Sequence, residues 1–234
     1  MTKLISIAKK ELSSYFKSSM AYIVFGLMIC IFNIFFFMII DQNREASLRD
    51  IFLVMDFMLI FLAPILTMRL FSEEKLTGTM EFLMTSPISN TAIVLGKYVG
   101  VLILFSIMIS ITFLYYAIIE YFGSPDRLTI FTGYLGVWLE GALFLSIGML
   151  TSSWTRNQIV AAMAALAIIF LLYFSSNLAA YFSESTATIV REIGTLKHLE
   201  NLVSGSFSVG DITYYLSGIV VCLVLTRVCI EIRD

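Results

Sequence analysis

Charge is scarce in this sequence: Asp, Glu, Lys and Arg together make up 14% of its 234 residues, against roughly a quarter in a soluble globular domain. A chain so poor in charge and 59% hydrophobic reads as an integral membrane protein. Its formal net charge of −2 leaves no excess of Lys and Arg to displace phosphate counterions, so no nucleic acid is expected as a partner. Cysteine is nearly absent. Cys30, Cys222 and Cys229 lie inside apolar runs with no C-x-x-C spacing, which argues against disulfides, metal and redox chemistry and makes them packing residues. The single histidine, His198, rules out an H-E-x-x-H zinc site and leaves no plausible nucleophile triad, and G-x-S-x-G does not occur. The phosphate loop is missing too: Gly96-Lys97 is followed by Tyr98, and Thr91 stands where the first glycine of G-x-x-x-x-G-K-[ST] would be. The chain is therefore expected to be no enzyme and to hold no cofactor or metal of its own, so that any energy must come from another subunit.

What the chain has in quantity is apolar runs of the length that crosses a bilayer, about 20 residues. Six segments qualify: 20–40, 51–68, 98–119, 129–151, 159–182 and 212–230. The fold class is all-α membrane protein, a single transmembrane domain over 1–234. The first run begins too late and extends too far for a cleavable signal core, and no A-x-A site follows it, so it is expected to be retained. An even number of spans puts both termini on one side. That side carries Lys3, Lys9, Lys10, Lys17, Arg69, Lys75, Lys97, Arg156, Arg227 and Arg233, against Arg44, Arg49, Arg127, Arg191 and Lys197 on the other, which places the termini in the cytoplasm.

Residues 1–19 set Leu4, Ala8, Leu12 and Phe16 on one helical face and Lys3, Lys10, Ser14 and Lys17 on another, the pattern of an amphipathic helix lying in the headgroup region; a plain basic flank is the simpler alternative. The external piece 183–211 spaces Ile189, Ile193, Leu196 and Leu199 to bury one helical face against the spans or the interface. It is too short for a core of its own. Tyr115, Tyr116, Tyr121, Trp138, Trp154, Tyr214 and Tyr215 read as an interfacial aromatic belt. Gly96-x-x-x-Gly100 and Gly133-x-x-Gly136 would let helices approach closely.

The most structured polar stretch is 71–89, between the second and third spans. It contains Glu73, Glu74 and Lys75, then Gly78, then a helical Thr79 to Thr85, stopped by Ser86 and Pro87 because proline cannot donate a backbone hydrogen bond. Leu76, Met80, Leu83 and Met84 offer an apolar anchor face, with Glu73, Glu74, Lys75 and Glu81 as charged rim. An ordinary folded loop is the bland alternative. Within the spans, Asp56 and Glu140 are costly in lipid and must face protein or water, or be protonated. By position Asp56 lies near the outer boundary and Glu140 near mid-membrane; both are candidates for a gate or substrate path, and both could be structural polar contacts.

The run Met68-Arg69-Leu70-Phe71-Ser72-Glu73-Glu74-Lys75, then Gly78-Thr79-Met80-Glu81-Phe82-Leu83, Thr85-Ser86-Pro87-Ile88-Ser89 and Leu95-Gly96-Lys97, resembles the permease subunits of type-2 ABC exporters, the ABC-2 type, with the gliding-motility permease GldF and NosY-type permeases as the nearest branch. The likeness continues through Ser152-Trp154, Asn157, His198-Leu199-Glu200-Asn201, Gly205 and Tyr214-Tyr215-Leu216-Ser217. The resemblance implies a bacterial inner-membrane permease that pairs with a second permease copy or homologue, in contact with the lipid bilayer and in some relatives with a GldG-like accessory protein. It implies docking on two cytoplasmic ATPase subunits, which would hold the ATP and Mg. The segment from Glu73 to Pro87 would be the coupling helix, with Glu73, Glu74, Lys75, Leu76, Gly78, Thr79, Met80, Glu81, Leu83, Met84 and Pro87 at the docking surface. An ion-coupled secondary transporter using Asp56 and Glu140, and a membrane scaffold without transport, are the competing readings. The unequal depths expected for the two carboxylates and the lack of an inverted repeat weigh against the first of these.

Overall fold

Backbone groups inside hydrocarbon must be hydrogen-bonded within their own segment, which leaves helices as the answer for chains of this composition. The computed structural model describes residues 2–43, 47–84, 88–181 and 183–232, and among these there are helices and no strand. In chain order they are α1 (Thr2–Lys17), α2 (Ser19–Asn43), α3 (Arg49–Thr67), α4 (Ser72–Thr77), α5 (Thr79–Met84), α6 (Asn90–Phe122), α7 (Arg127–Ser152), α8 (Gln158–Leu178), a short 3-10 turn (Ala179–Tyr181), α9 (Glu184–Ile193), α10 (Thr195–Val203) and α11 (Val209–Glu231). Six of them, α2, α3, α6, α7, α8 and α11, are long and apolar enough to span a membrane. One end of the bundle, the terminal face, carries α1, α4 and α5; the far face carries α9 and α10.

Helix starts are written in the sequence. Ser89 accepts from Ala92 N–H at 3.3 Å to open α6, Asn157 accepts from Ile159 N–H at 2.9 Å to open α8, and Ser208 accepts from Gly210 N–H at 3.2 Å to open α11. Asp126 caps α7, and the Thr129 hydroxyl, with the Leu128 N–H, holds its carboxyl below the usual carboxylate range, so this cap stays charged near neutral pH. The helix that carries the third span, α6, begins two turns before 98, and Lys97 lies inside it with its charge met by carboxylates.

α7 is the hub of the bundle: nearly all of its length is buried, and it packs against α3, α8, α10 and α11. Glycines permit the close approach. A Cβ built on Gly133 would meet the Phe52 ring at 2.3 Å, and one on Gly148 would meet Thr67 Oγ1 at 1.9 Å. Both contacts have the same register, so α3 and α7 run parallel and touch from the far face to the terminal face. Gly148→Val is accordingly expected to destabilise the purified chain by about 1 to 3 kcal/mol through overpacking, read by denaturant unfolding in detergent. Gly26→Val, at a site with nothing within 4 Å of the new Cβ, should leave the curve in place.

Three expectations are revised. The packing face of α1 is Leu4, Ile7, Ala8, Glu11 and Tyr15, seated on Gly96 and Gly100 of α6, while Phe16 is exposed; the glycine pair lets α1 approach α6 closely, as its spacing suggested. The external piece breaks at Gly194 into two helices, and α10 buries Thr195, His198, Leu199, Leu202 and Val203 while Ile189 and Ile193 stay exposed. Finally, Tyr115 and Tyr215 are core residues rather than belt residues. Tyr115 stacks on Phe36 with ring centroids 4.4 Å apart, and Tyr215 donates to the Thr195 carbonyl at 3.2 Å.

Candidate functional site

The segment after α3 is not a free loop: its first part, from Met68 to Lys75, is bonded to the helices around it. Ser152, the last residue of α7, uses all the bonding its hydroxyl has: it accepts from the N–H groups of Phe71 and Ser72 at 3.1 and 3.2 Å and donates to the Met68 carbonyl at 2.9 Å. Those two N–H groups sit at the start of α4, where a helix has no internal partners to offer them. Ser72 also donates to the Met68 carbonyl, and Lys75 Nζ donates to the Ser153 carbonyl. The C-terminal end of α7 is thereby fused to the α3–α4 junction.

On the other side stands Lys97, 2% exposed. Its ammonium has three N–H groups and three acceptors: Glu11 Oε1 of α1 at 2.6 Å, Glu74 Oε1 of α4 at 2.8 Å and the Leu70 carbonyl at 2.8 Å. Phe71 places its ring centroid 5.2 Å from the same nitrogen. Arg69 extends the attachment to α1, donating to Ser18 Oγ at 3.2 Å and lying over the Tyr15 ring at 5.9 Å, while the Tyr15 hydroxyl donates to the Leu66 carbonyl. One ammonium thus joins α1, α4 and α6.

The outward side of the segment differs from the sequence reading in its details. Gly78 adopts φ 71°, a left-handed conformation that glycine takes without steric cost. This ends α4 and resets the helical phase before α5, so Leu76 and Met80 of the expected anchor face do not lie on one side. Met80 turns inward and is buried, at the edge of a cleft of about 490 Å³ lined also by Trp154, Arg156 and Ile230. Glu74 and Lys75, expected on the rim, point inward to Lys97 and Ser153. The exposed surface among the described residues includes Leu76, Phe82, Thr79, Glu81 and the half-exposed Glu73, whose carboxylate lies 3.5 Å from Arg69. Phe82, 79% exposed, is the large apolar group that helical periodicity alone does not select. The side chains of Leu83 and Met84, and Pro87 as a whole, lie outside the described residues.

A second polar centre lies inside the bundle towards the far face. Asp56 of α3 and Glu140 of α7 are both 0% exposed. The register fixed by Gly133 and Gly148 sets Asp56 level with Val137, one turn from Glu140, so the two carboxyls are neighbours across the contact of α3 and α7. The expected difference in depth therefore shrinks to about one helical turn. The expectation counted residues from each helix end, but α7 extends beyond α3 at the far face, where Gly133 lies opposite Phe52. Among the described residues no group of three or more His, Cys, Asp or Glu is placed to hold a metal. Closer to the far face, His198 Nδ1 and Asp211 Oδ1 are 2.6 Å apart and Asn201 donates to the same carboxylate, pinning α10 to α11.

Comparison with protein families matches residues 5–229 to the model described as ABC-2 family transporter protein. No curated protein matches the chain.

Proposed function

We propose, on the premise that the chain belongs to the ABC-2 transporter family, that it is a permease subunit driven by a separate pair of cytoplasmic ATPase subunits in export or mechanotransmission. Members of that family are multi-pass membrane transporter subunits and not enzymes, and the six apolar helices agree with this. ATP and Mg belong to the ATPase partner. The distribution of Lys and Arg supports an inner-membrane orientation with the terminal face in the cytoplasm. A second permease copy or homologue would cover part of the exposed apolar sides of α2, α8 and α11, lipid the rest. The motif run between Met68 and Lys97 supports a finer assignment to a GldF/NosY-like branch, with a GldG-like accessory protein as partner.

The single observation that carries the reading is the attachment of α4 and α5. A docking element must present a surface and must also transmit force. Leu76, Phe82 and Glu81 provide the surface, and the bonds of Ser152, Lys75 and Lys97 tie it to α1, α3, α6 and α7. Closure of an ATPase pair against this segment would move the bases of these helices together, as a rigid-body switch. The test is capture of the co-expressed ATPase by the affinity-tagged full chain. Glu81→Lys, at an exposed position, should weaken capture without changing the chain's thermal unfolding; unchanged capture by this variant removes Glu81 from the docking surface.

A second reading, the ion-coupled transporter, gains from the adjacency of Asp56 and Glu140. Solute movement driven by an ion gradient in vesicles containing this chain alone would favour it over the ATPase-driven reading.

A further inference from the structure

Asp56 and Glu140 sit where no part of the docking mechanism needs them. All four of their carboxyl oxygens are out of contact with solvent and without a hydrogen bond of normal geometry, and the same holds for the Thr195 hydroxyl at the start of α10. Thr195 is within interaction range of Glu140, and Tyr173 of α8 within range of Asp56, so four helices converge on the pair. The other titratable groups that face it are Glu200 of α10 and Tyr214 and Tyr215 of α11, all acidic or phenolic. Among the described residues no Lys or Arg reaches in to balance the charge: Lys197 is tied to Glu192, and Arg127 to Glu120. His198 is taken up by Asp211.

Two neighbouring carboxylates shut away from water, with no cation beside them, cannot both stay ionised. The geometry points to Asp56 and Glu140 as a proton-binding site: an acid pair that takes a proton from water and shares it between the two carboxyls, with Thr195 and Tyr173 as flanking hydroxyls. A proton needs no coordination sphere, and this site, with two carboxylates and two hydroxyls, falls short of the acidic cluster a metal would use. Removing the proton would set two like charges between α3 and α7 and force the helices to separate or to admit water there.

This is separate from the docking assignment and is tested without any ATPase. Infrared spectroscopy of the full chain in lipid nanodiscs, in light and heavy water, should show a protonated carboxyl stretch at neutral pH that is lost in the Asp56→Asn, Glu140→Gln double variant. A spectrum at neutral pH with no such band assignable to either residue overturns the proposal. Unfolding supplies a second measurement. A proton held by the folded chain and not by the unfolded one makes stability fall as pH rises, so the wild-type melting temperature should drop between about pH 5 and about pH 9. The double variant, whose side chains are neutral and nearly isosteric, should lose most of that slope; an equal slope in both counts against the pair. A sodium or potassium titration that removes the carboxyl band and stabilises the wild type, but not the double variant, would make the site a cation site and overturn the proton assignment.

Discussion

Replacing Lys97 with methionine is expected to lower the stability of the isolated chain by about 3 kcal/mol and to separate ATP hydrolysis from permease movement. The substitution keeps most of the stem and removes the ammonium, leaving Glu11 and Glu74, 13% and 16% exposed, as neighbouring carboxylates with no counter-charge. Breaking a buried ion pair from one side costs about 3 to 5 kcal/mol, and the partial solvent access of the two glutamates sets the expectation at the lower end. Glu74 Oε2 is already buried without a partner, so the site has little reserve. The charge argument has a sharp check: adding Glu11→Gln and Glu74→Gln to Lys97→Met removes the stranded charges and should recover most of the melting temperature. Coupling should not recover, because the bonds from α6 to α1 and α4 are still missing. A Lys97→Met chain that melts like the wild type would show that the ammonium contributes nothing to holding α4.

The second large effect is expected at Phe82. An aromatic side chain that is 79% exposed on a short helix suits the role of an anchor in the proposed docking. Phe82→Asp should weaken association with the ATPase by about 2 kcal/mol, roughly 30-fold. The unfolding curve of the permease alone should hardly move, since little of the ring is buried in the chain itself. Binding of the purified ATPase to nanodisc-embedded permease, followed by light interferometry, separates the two quantities. Equal affinity for wild type and Phe82→Asp would place the docking surface elsewhere.

The sequence and the structure agree where a long-range constraint writes itself locally. Twenty apolar residues in a row are dictated by bilayer thickness, so the spans could be read directly, and Ser89, Asp126 and Asn157 announce helix starts through their side-chain oxygens. What could not be read depends on which helix lies beside which. Asp56 and Glu140 are 84 positions apart in the chain, and only the register set by Gly133 on Phe52 and Gly148 on Thr67 brings them together. Lys97 resembles any basic residue flanking a span until Glu11 and Glu74 are found around it. Ser152 belongs to a recognisable Ser-Ser-Trp pattern, yet its use as a cap for a helix from another part of the chain is visible in no local rule. At α4 and α5 a single residue decides the outcome. Because Gly78 is left-handed, the faces of the two short helices are not continuous, so Met80 faces the bundle and Phe82 faces away.

The three-way bonding of Lys97 also makes α1 an internal reporter. Whatever shifts α4 must drag or release Glu11, so a fluorophore on an exposed α1 position such as Lys9 would register events at the opposite side of the ammonium without touching the docking surface. By the same logic, a bulky fusion that levers the amino-terminal helix away from Gly96 and Gly100 would act as a remote brake, disabling the subunit while leaving every residue of the proposed docking surface intact.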